Sequence, residues 1–306
     1  MTQDDTVARG ATYAAFAYLL WGLFPIYFKW VGHVAPLEVL AHRMLWSLVF
    51  VALLLAWLRR GAWLQHLTDV RLLLRFFVSA ATVSINWGIY IWAVPAGHIV
   101  DASLGYFINP LVNVLIGTLF MAERMRPWQW LAVALAALGV AWLTWQAGTL
   151  PWIGLVLAFS FAAYGWLRKT APLGAVEGLA VETALLTPLA VGYLLWLAAA
   201  GQSAFVSGSW GTELLLLAAG PVTALPLLLF AAGARRIPFS MLGMLQYIAP
   251  TLQLLIGVWL YHEPFPATKA VGYALIWIAL AVFTLEGWWR YRTDARAASA
   301  AHAAGG

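Results

Sequence analysis

Residues 107–123 read FINPLVNVLIGTLFMAE, and residues 247–263 read YIAPTLQLLIGVWLYHE. Aligned to each other, the two stretches agree at Ile108/Ile248, Pro110/Pro250, Leu115/Leu255, Ile116/Ile256, Gly117/Gly257 and Glu123/Glu263. A proline inside a membrane helix frees a backbone carbonyl, and a glycine lets a neighbouring helix approach closely. The shared Pro–Gly–Glu spacing favours a duplicated architecture with a site between the halves. The alternative is that two apolar helices resemble each other by composition alone.

The composition restricts the chain to the membrane. Only 9% of the 306 residues are charged, 63% are hydrophobic, and the mean hydropathy is +0.83. Soluble proteins carry about 25% charged residues, and a chain this apolar cannot cover itself with polar surface in water. We therefore predict an all-α integral membrane protein. The absence of cysteine excludes disulfides, thiolate metal sites and cysteine nucleophiles.

Hydropathy predicts ten membrane-spanning helices, because a hydrocarbon core needs about 20 helical residues for each crossing. The predicted spans are 10–31, 36–58, 70–94, 101–121, 127–146, 150–167, 176–200, 211–233, 238–261 and 267–289. Five prolines lie at or just before predicted helix starts, where a missing amide hydrogen costs little: Pro36, Pro127, Pro151, Pro238 and Pro266. Residues 1–9 form a polar N-terminus, and residues 290–306 are expected to be a disordered tail.

The distribution of lysine and arginine predicts the orientation. With a cytoplasmic N-terminus, fourteen basic residues fall at cytoplasmic span ends, and only Lys269 falls on the opposite side. Both termini are then cytoplasmic, and the net charge of +5 reflects topology, with anionic lipid headgroups as the only polyanion implied. Residues 10–146 and 147–289 each hold five spans. Because five is odd, the second repeat is inverted, and Glu123 and Glu263 face opposite sides.

Ionisable side chains inside spans are costly to bury and are functional candidates by default. Glu38, His42 and Arg43 lie in the first two turns of the second span, and Arg43 lies deepest. They form either a solute-binding or coupling cluster at the outer mouth, or a buried ion pair that locks two helices. Glu182, two turns into the seventh span, has no obvious cation nearby. It is either a proton-coupling carboxyl or a neutral, hydrogen-bonded structural group.

Polar residues in the third, fourth and ninth spans indicate helix faces that look at protein or water. The amides of Asn109 and Gln253 can hold helices together or hydrogen-bond a solute, and neighbouring helix-breaking prolines favour a cavity. Those prolines are Pro110, Pro226 and Pro250. The chain has no HExxH, GxSxG, P-loop or DxD pattern, and no histidine pair has metal-ligand spacing. We therefore expect no enzyme activity, metal, cofactor or nucleotide, and any transport is driven by gradients or is passive.

Several segments together resemble one known family. They are AYLLWGLFPIYFK, AHRMLWSLVF, INWGIYIWAV, ASLGYFINPLVNVLIG and GPVTALPLLLFAAGARRIPFSMLGMLQYIAPTLQ. They resemble RarD-type permeases of the EamA branch of the drug/metabolite transporter superfamily, and the resemblance extends from about Gly10 to Gly287. It implies a multi-pass protein of the bacterial inner membrane, built of two inverted EamA-like five-helix repeats around a central solute cavity. The cavity residues it implies are Trp21, Arg43, Asn86, Tyr90, Tyr106, Asn109, Tyr247 and Gln253.

The sequence thus predicts a secondary transporter working by alternating access, and the resemblance favours export of small amphipathic metabolites or drugs. Amino-acid-like and chloramphenicol-like solutes are the classes implied, with Glu38, His42 and Glu182 as coupling or gating candidates. The expected partners are a small-molecule solute and membrane lipid, without nucleic acid. Two alternatives remain: a membrane enzyme acting on a lipid carrier, with Glu38, His42 and Arg43 as acid–base groups, and a scaffold. The oligomeric state, coupling ion and substrate are not determined by the sequence.

Overall fold

A computed structural model describes residues 3–59, 61, 64, 68–93, 99–148, 152–262 and 267–304, and within these ranges the regular elements are all helical. The helices are α1 (Gln3–Gly22), α2 (Phe24–Trp30), α3 (Pro36–Trp57), α4 (Val70–Ala93), α5 (Ile99–Phe120), α6 (Pro127–Ala147), α7 (Trp152–Thr170), α8 (Ala175–Ala199), α9 (Ala204–Ser207), α10 (Trp210–Ala234), α11 (Phe239–Gln246), α12 (Ile248–Leu255) and α13 (Ala267–Ala304). A π-helical turn, Ile256–Leu260, extends α12.

Eight helical segments of the described chain are long and apolar enough to cross a membrane. They are Asp5–Trp30, Pro36–Trp57, Val70–Tyr90, Pro127–Gln146, Ala175–Ala199, Trp210–Ala234, Phe239–Leu260 and Ala267–Trp289. A shorter apolar helix, Gly105–Phe120, lies where the fourth span is predicted. Helix α7 occupies the position of the sixth predicted span and ends with Arg168 and Lys169. The prediction of an all-helical integral membrane protein is therefore confirmed.

Prolines begin several helices, as the sequence predicts. Pro36 and Pro127 are the first residues of α3 and α6, and Pro238 is the N-cap of α11. Proline is favoured there because its fixed φ suits a first helical turn, and the missing N–H had no partner within the helix anyway. Pro151 and Pro266, which were predicted in the same role, lie outside the described residues.

The helices pack in a limited set of pairs. Helix α3 lies against α8 and α10, α1 against α10, α11 and α12, α4 against α7, α5 against α7 and α11, and α6 against α13. The largest apolar core lies among α1, α7, α10 and α11, where Tyr18, Tyr164, Phe230, Phe239 and Leu242 are almost completely buried. This core holds one end of the bundle together and leaves the cavity described below toward the other end.

Helices α5 and α11 run antiparallel. The first copy of the repeated stretch begins within α5, and the second begins at Tyr247, directly after α11. The side chain of Glu123, just after α5, accepts hydrogen bonds from the backbone N–H of Phe239 (2.5 Å) and Ser240 (2.9 Å), at the start of α11. Near the other end of α11, the hydroxyl of Tyr247 donates to the carbonyl of Phe107 at 3.2 Å. Glu123 is thus the N-terminal cap of α11. Glu263 lies outside the described residues.

The chain end differs from the expectation. Helix α13 continues to Ala304, whereas composition predicted a disordered tail from Arg290. The segment from 290 to 304, RYRTDARAASAAHAA, contains neither glycine nor proline, and seven of its fifteen residues are alanine. Alanine has the highest intrinsic helix propensity, so the segment extends the preceding helix once that helix is formed.

Candidate functional site

A cavity of about 430 Å³ lies between the helices of the two halves. Its wall comes from α1, α2, α3, α4, α5, α7, α10, α11 and α12, and at one end it reaches the loop between α2 and α3, at Gly32 and Val34. Six of the eight sequence-predicted cavity residues lie on this wall: Trp21, Arg43, Asn86, Tyr90, Tyr106 and Gln253. The volume is in the range of small-molecule sites, and most of the wall is apolar or aromatic, as such sites usually are.

Arg43 is the charged residue of this wall, and its side chain is 9% exposed. Its Nε donates to the hydroxyl of Thr223 on α10 at 2.8 Å. Within the described chain its two terminal amino groups make no hydrogen bond, and the guanidinium makes no ion pair. A buried cation without a carboxylate is costly, so this group is arranged to meet a partner that the protein itself does not supply.

Aromatic rings surround that guanidinium. Its carbon lies 4.9 Å from the ring centre of Trp87, 5.5 Å from that of Phe28 and 5.8 Å from that of Phe24. Cation–π attraction partly offsets the cost of removing the charge from water. Further along the wall, Trp21 packs edge-on against Phe161 with 5.6 Å between ring centroids. The cavity thus combines one cation with a broad apolar surface.

Hydrogen bonds donated by the side-chain nitrogens hold two amides on the wall in place. Asn86 Nδ2 donates to the carbonyl of Leu157 (2.8 Å) and to Ser160 Oγ (3.0 Å), and Gln253 Nε2 donates to the carbonyl of Trp21 (3.0 Å). Both oxygens remain free of protein donors among the described residues and are not enclosed. These amides therefore hold helices together and also present acceptor oxygens at the cavity wall.

Asn109 and Tyr247 do not lie on the wall. Asn109 Nδ2 donates to the carbonyl of Ala158 on α7 at 2.5 Å and its oxygen accepts from Asn113, while Tyr247 is bonded to Phe107. Both side chains are almost completely buried, Asn109 against α7 and Tyr247 among α5, α6 and α13. In this structure they make helix contacts beside the cavity, and their role in binding a solute stays a prediction.

The predicted cluster of Glu38 and His42 faces away from the cavity. Glu38 Oε1 accepts from Ser203 Oγ (3.0 Å) and from the backbone N–H of Ala204 (2.8 Å), so it caps the short helix α9. His42 accepts from Trp46 Nε1 at 3.1 Å, and its ring lies against that of Phe205. His42 is one residue and Glu38 five residues from Arg43, and neither spacing matches a whole number of helical turns, so both side chains lie on another face of α3.

Glu182 has a cation close by, contrary to the sequence prediction. Arg168 Nη1 lies 3.6 Å from Glu182 Oε1, and Ser79 Oγ donates to the same oxygen at 2.5 Å. Tyr164 donates to the other oxygen at 3.4 Å. Arg168, predicted at an exposed span end, is only 2% exposed. The four-residue loop between α7 and α8, residues 171–174, brings the pair together, and the connection length was the signal that could have revealed it.

The three predicted helix breaks have different outcomes. Helices α5 and α10 continue through Pro110 and Pro226, and neither proline lies on the cavity wall. Pro250 lies on the wall, and the helix breaks three residues before it, at Tyr247, between α11 and α12. Proline cannot donate to the carbonyl four residues earlier, which loosens the helix at that point.

Sequence reasoning missed Thr223, Phe24 and Phe28 as wall residues. Thr223 lies between Pro221 and Pro226 in the segment GPVTALP, where a hydroxyl among prolines was a visible signal. Phe24 and Phe28 gave no signal, because aromatic residues near the end of an apolar span are common in membrane helices.

Comparisons with known proteins agree with this architecture. The model of the EamA-like transporter family matches residues 8–145. "Protein RarD" of Escherichia coli (strain K12) is 43% identical over 94% of this chain and 98% of its own. "Uncharacterized transporter YojE" of Bacillus subtilis (strain 168) is 46% identical over 93% and 96% of the two chains. "Chloramphenicol-sensitive protein RarD" of Pseudomonas aeruginosa is 35% identical over 92% and 94%.

A solved crystal structure shares the fold, with a TM-score of 0.63 at 20% sequence identity, covering 90% of this chain and 97% of the other. The apolar helices and these relatives define a bacterial multi-pass membrane protein of a transporter family. The chain belongs to the RarD-type permeases of the EamA branch of the drug/metabolite transporter superfamily, as the sequence segments indicated.

Proposed function

We propose that the protein is a secondary transporter that exports small amphipathic metabolites or drugs by alternating access. The observation that carries this proposal is the cavity itself: the buried guanidinium of Arg43, which has no counterion among the described residues, beside an aromatic wall. The aromatic side chains take the apolar part of a solute, and Arg43 with the amide oxygens takes its polar part. Amino-acid-like and chloramphenicol-like solutes have this character, and the name of the Pseudomonas aeruginosa relative points to the latter. The direction, export, rests on the family resemblance.

We place ten spans in two inverted repeats, residues 10–146 and 147–289, and the helix contacts support this arrangement. In these repeats α1, α4 and α5 are equivalent to α7, α10 and α11. The contact between α1 and α10 then corresponds to that between α7 and α4, and the contact between α5 and α7 corresponds to that between α11 and α1. The pairs α3–α8, α5–α11 and α6–α13 each join equivalent helices of the two halves. A two-fold axis in the membrane plane produces this pattern. The family match to residues 8–145 nearly coincides with the first proposed repeat.

Alternating access requires one end of the cavity to be closed while the other is open, and the contacts support such a state. At the end away from the α2–α3 loop, Lys169 Nζ donates to the carbonyls of Ala234 (2.8 Å) and Ile237 (2.5 Å). Arg235 donates to the carbonyl of Ala171 at 2.8 Å. These charge-assisted bonds tie the α7–α8 loop to the α10–α11 loop, and the opposite state needs them broken. We assign this end to the cytoplasm from the distribution of basic residues.

Transport is tested with purified protein in proteoliposomes, by counterflow of a panel that contains phenylalanine, 3-phenylpropionate and chloramphenicol. We expect flux of at least one solute, and a loss of roughly tenfold or more in Arg43→Ala, because a charge-assisted contact is removed. Arg236→Ala is the matched control, since Arg236 is exposed, does not line the cavity, and contacts the carbonyl of Ala232 and the ring of Tyr13. Absence of flux across the panel, or flux unchanged in Arg43→Ala, contradicts the proposal.

The inverted arrangement is tested separately, and the cysteine-free chain suits the method. Single cysteines at Arg124 and His262, both exposed, are labelled in intact cells with a membrane-impermeant maleimide. We expect His262→Cys to be labelled from outside and Arg124→Cys to be labelled only after the membrane is permeabilised. Labelling of both from the same side overturns the inverted repeats and the cytoplasmic termini.

The rival function, an enzyme acting on a lipid carrier, needs Glu38 and His42 free to exchange protons with a substrate. Glu38 is used to cap α9, and His42 packs against Phe205 away from the cavity. No contact in the described chain favours that chemistry over transport.

A further inference from the structure

The charge of the cavity wall points to one class of solute. We infer that the cavity binds organic monoanions, with a carboxylate on Arg43 and an apolar or aromatic body against the rings, and that it discriminates against amines. This inference deepens the proposed function and rests on it in treating the cavity as the path of the solute. It keeps the amphipathic character of the solutes considered above but replaces the zwitterionic amino-acid-like and uncharged chloramphenicol-like classes by organic monoanions.

The first step is the balance of charge. Among the described residues of the wall, Arg43 is charged, and none is a carboxylate, lysine or histidine. The two nearby acids do not line the cavity and are occupied elsewhere: Glu38 caps α9, and Glu182 pairs with Arg168. The wall therefore carries one positive charge that no group among the described residues neutralises. Removed from water, such a charge attracts anions and repels cations strongly.

The second step is the geometry of the guanidinium. Thr223 takes the Nε hydrogen at 2.8 Å, and this bond fixes the plane of the group against α10. The two terminal amino groups are then left together, without protein partners in the described chain. Two neighbouring N–H groups in one plane match the two oxygens of a carboxylate, which is the bidentate pairing that arginine forms best. A neutral amide or ester offers one oxygen and no charge.

The third step considers which partners an ammonium group would find in the cavity. An amine in the cavity finds the oxygens of Asn86 and Gln253 and the faces of aromatic rings, but no counterion. Three of those faces, on Trp87, Phe28 and Phe24, already hold the guanidinium. A zwitterion would place its ammonium within a few bonds of the carboxylate and so close to Arg43. The amide oxygens suit uncharged donors, such as a hydroxyl or N–H on the body of the anion.

The test uses four ligands with one shape: 3-phenylpropionate, 3-phenylpropionamide, 3-phenylpropylamine and phenylalanine. Binding to the full chain in detergent is followed by quenching of tryptophan fluorescence, to which Trp21 and Trp87 on the wall contribute, and by isothermal titration calorimetry. We expect the anion to bind roughly tenfold or more tightly than the amide, and the amine and phenylalanine to bind more weakly than the anion. The comparison of the four ligands on the wild-type protein tests the anion preference without any variant.

The variant Arg43→Gln keeps a polar side chain and removes the charge. We expect it to bind the anion and the amide within about twofold to threefold of each other, while the exposed control Arg236→Gln keeps the wild-type preference. The inference is overturned if the amine or phenylalanine binds more tightly than 3-phenylpropionate, or if the anion preference survives in Arg43→Gln. Binding is measured without flux. An anion preference without transport would thus contradict the proposed function alone, and transport with an amine preference would contradict the anion site alone.

Discussion

The contact between α3 and α10 at Gly220 gives the sharpest structural prediction. A methyl group added at Gly220 would collide with the backbone carbonyl group of Trp46, and it would lie 2.6 Å from the Cβ of Trp46. Backbone atoms cannot rotate away as the end of a side chain can, so the substitution Gly220→Ala must push the two helices apart. Ser47 Oγ, which donates to the carbonyl of Gly220 at 3.2 Å, would lose its partner by the same movement.

The expected magnitude follows from two opposing effects. Replacing glycine by alanine within a helix stabilises it by about 1 kcal/mol. Overpacking costs typically about 1–3 kcal/mol, and the upper end applies because the collision is with backbone. Gly192 on α8 is the matched control, since nothing lies within 4 Å of a methyl group added there. We therefore expect Gly220→Ala to be about 3 kcal/mol less stable than Gly192→Ala, since both gain the same helix propensity.

Thermal unfolding in detergent, followed by intrinsic fluorescence, measures this difference. At about 2 °C per kcal/mol for a chain of this size, the two midpoints are expected to differ by about 6 °C. Gly220→Ala also separates Arg43 on α3 from Thr223 on α10, so its affinity for 3-phenylpropionate should fall while that of Gly192→Ala stays at the wild-type level. Equal midpoints and equal affinities in the two variants would refute the close approach of α3 and α10.

Two further predictions concern buried polar contacts. Glu123→Ala removes the acceptor of two backbone N–H groups at the start of α11, and we expect it to lower the free energy of unfolding by about 2–4 kcal/mol. For the control Glu213→Ala we expect a loss of less than about 0.5 kcal/mol. Chemical or thermal unfolding measures both, and equal losses would show that Glu123 is not a cap. Arg168→Met leaves Glu182 buried without its cation and should lower the free energy of unfolding by about 3–5 kcal/mol. The double variant Arg168→Met/Glu182→Met should recover much of that loss. Additive losses in this double-mutant cycle would contradict the pairing.

Composition and hydropathy were sufficient for the class of protein and for the positions of most helices. A membrane helix satisfies its own backbone hydrogen bonds, so its existence depends on a local property, the apolar run of about 20 residues. The beginnings of α3 and α6 at Pro36 and Pro127 also depend on a local property, the fixed φ of proline. The tail after Arg290 was predicted wrongly because its polarity was given more weight than its alanine content.

The site was predicted less completely, and the individual residues show why. Arg43 was identified because a cation within a span is rare enough to be informative from sequence alone. Glu38 and His42, five residues and one residue before it, were expected to act with it, yet they face α9. The direction in which a side chain points around a helix depends on how that helix is rotated against its neighbours. Hydropathy carries little of that information when most faces are apolar.

The sequence by itself determined that this chain lies in a membrane and buries an arginine, because each is a property of one segment and its length or charge. Tertiary structure alone decided that Arg43 is held by Thr223, that Glu182 is neutralised by Arg168, and that Asn109 and Tyr247 stabilise packing beside the cavity. These outcomes depend on which helix faces meet. The contacts that select those faces join residues far apart in the chain, where no local pattern records them.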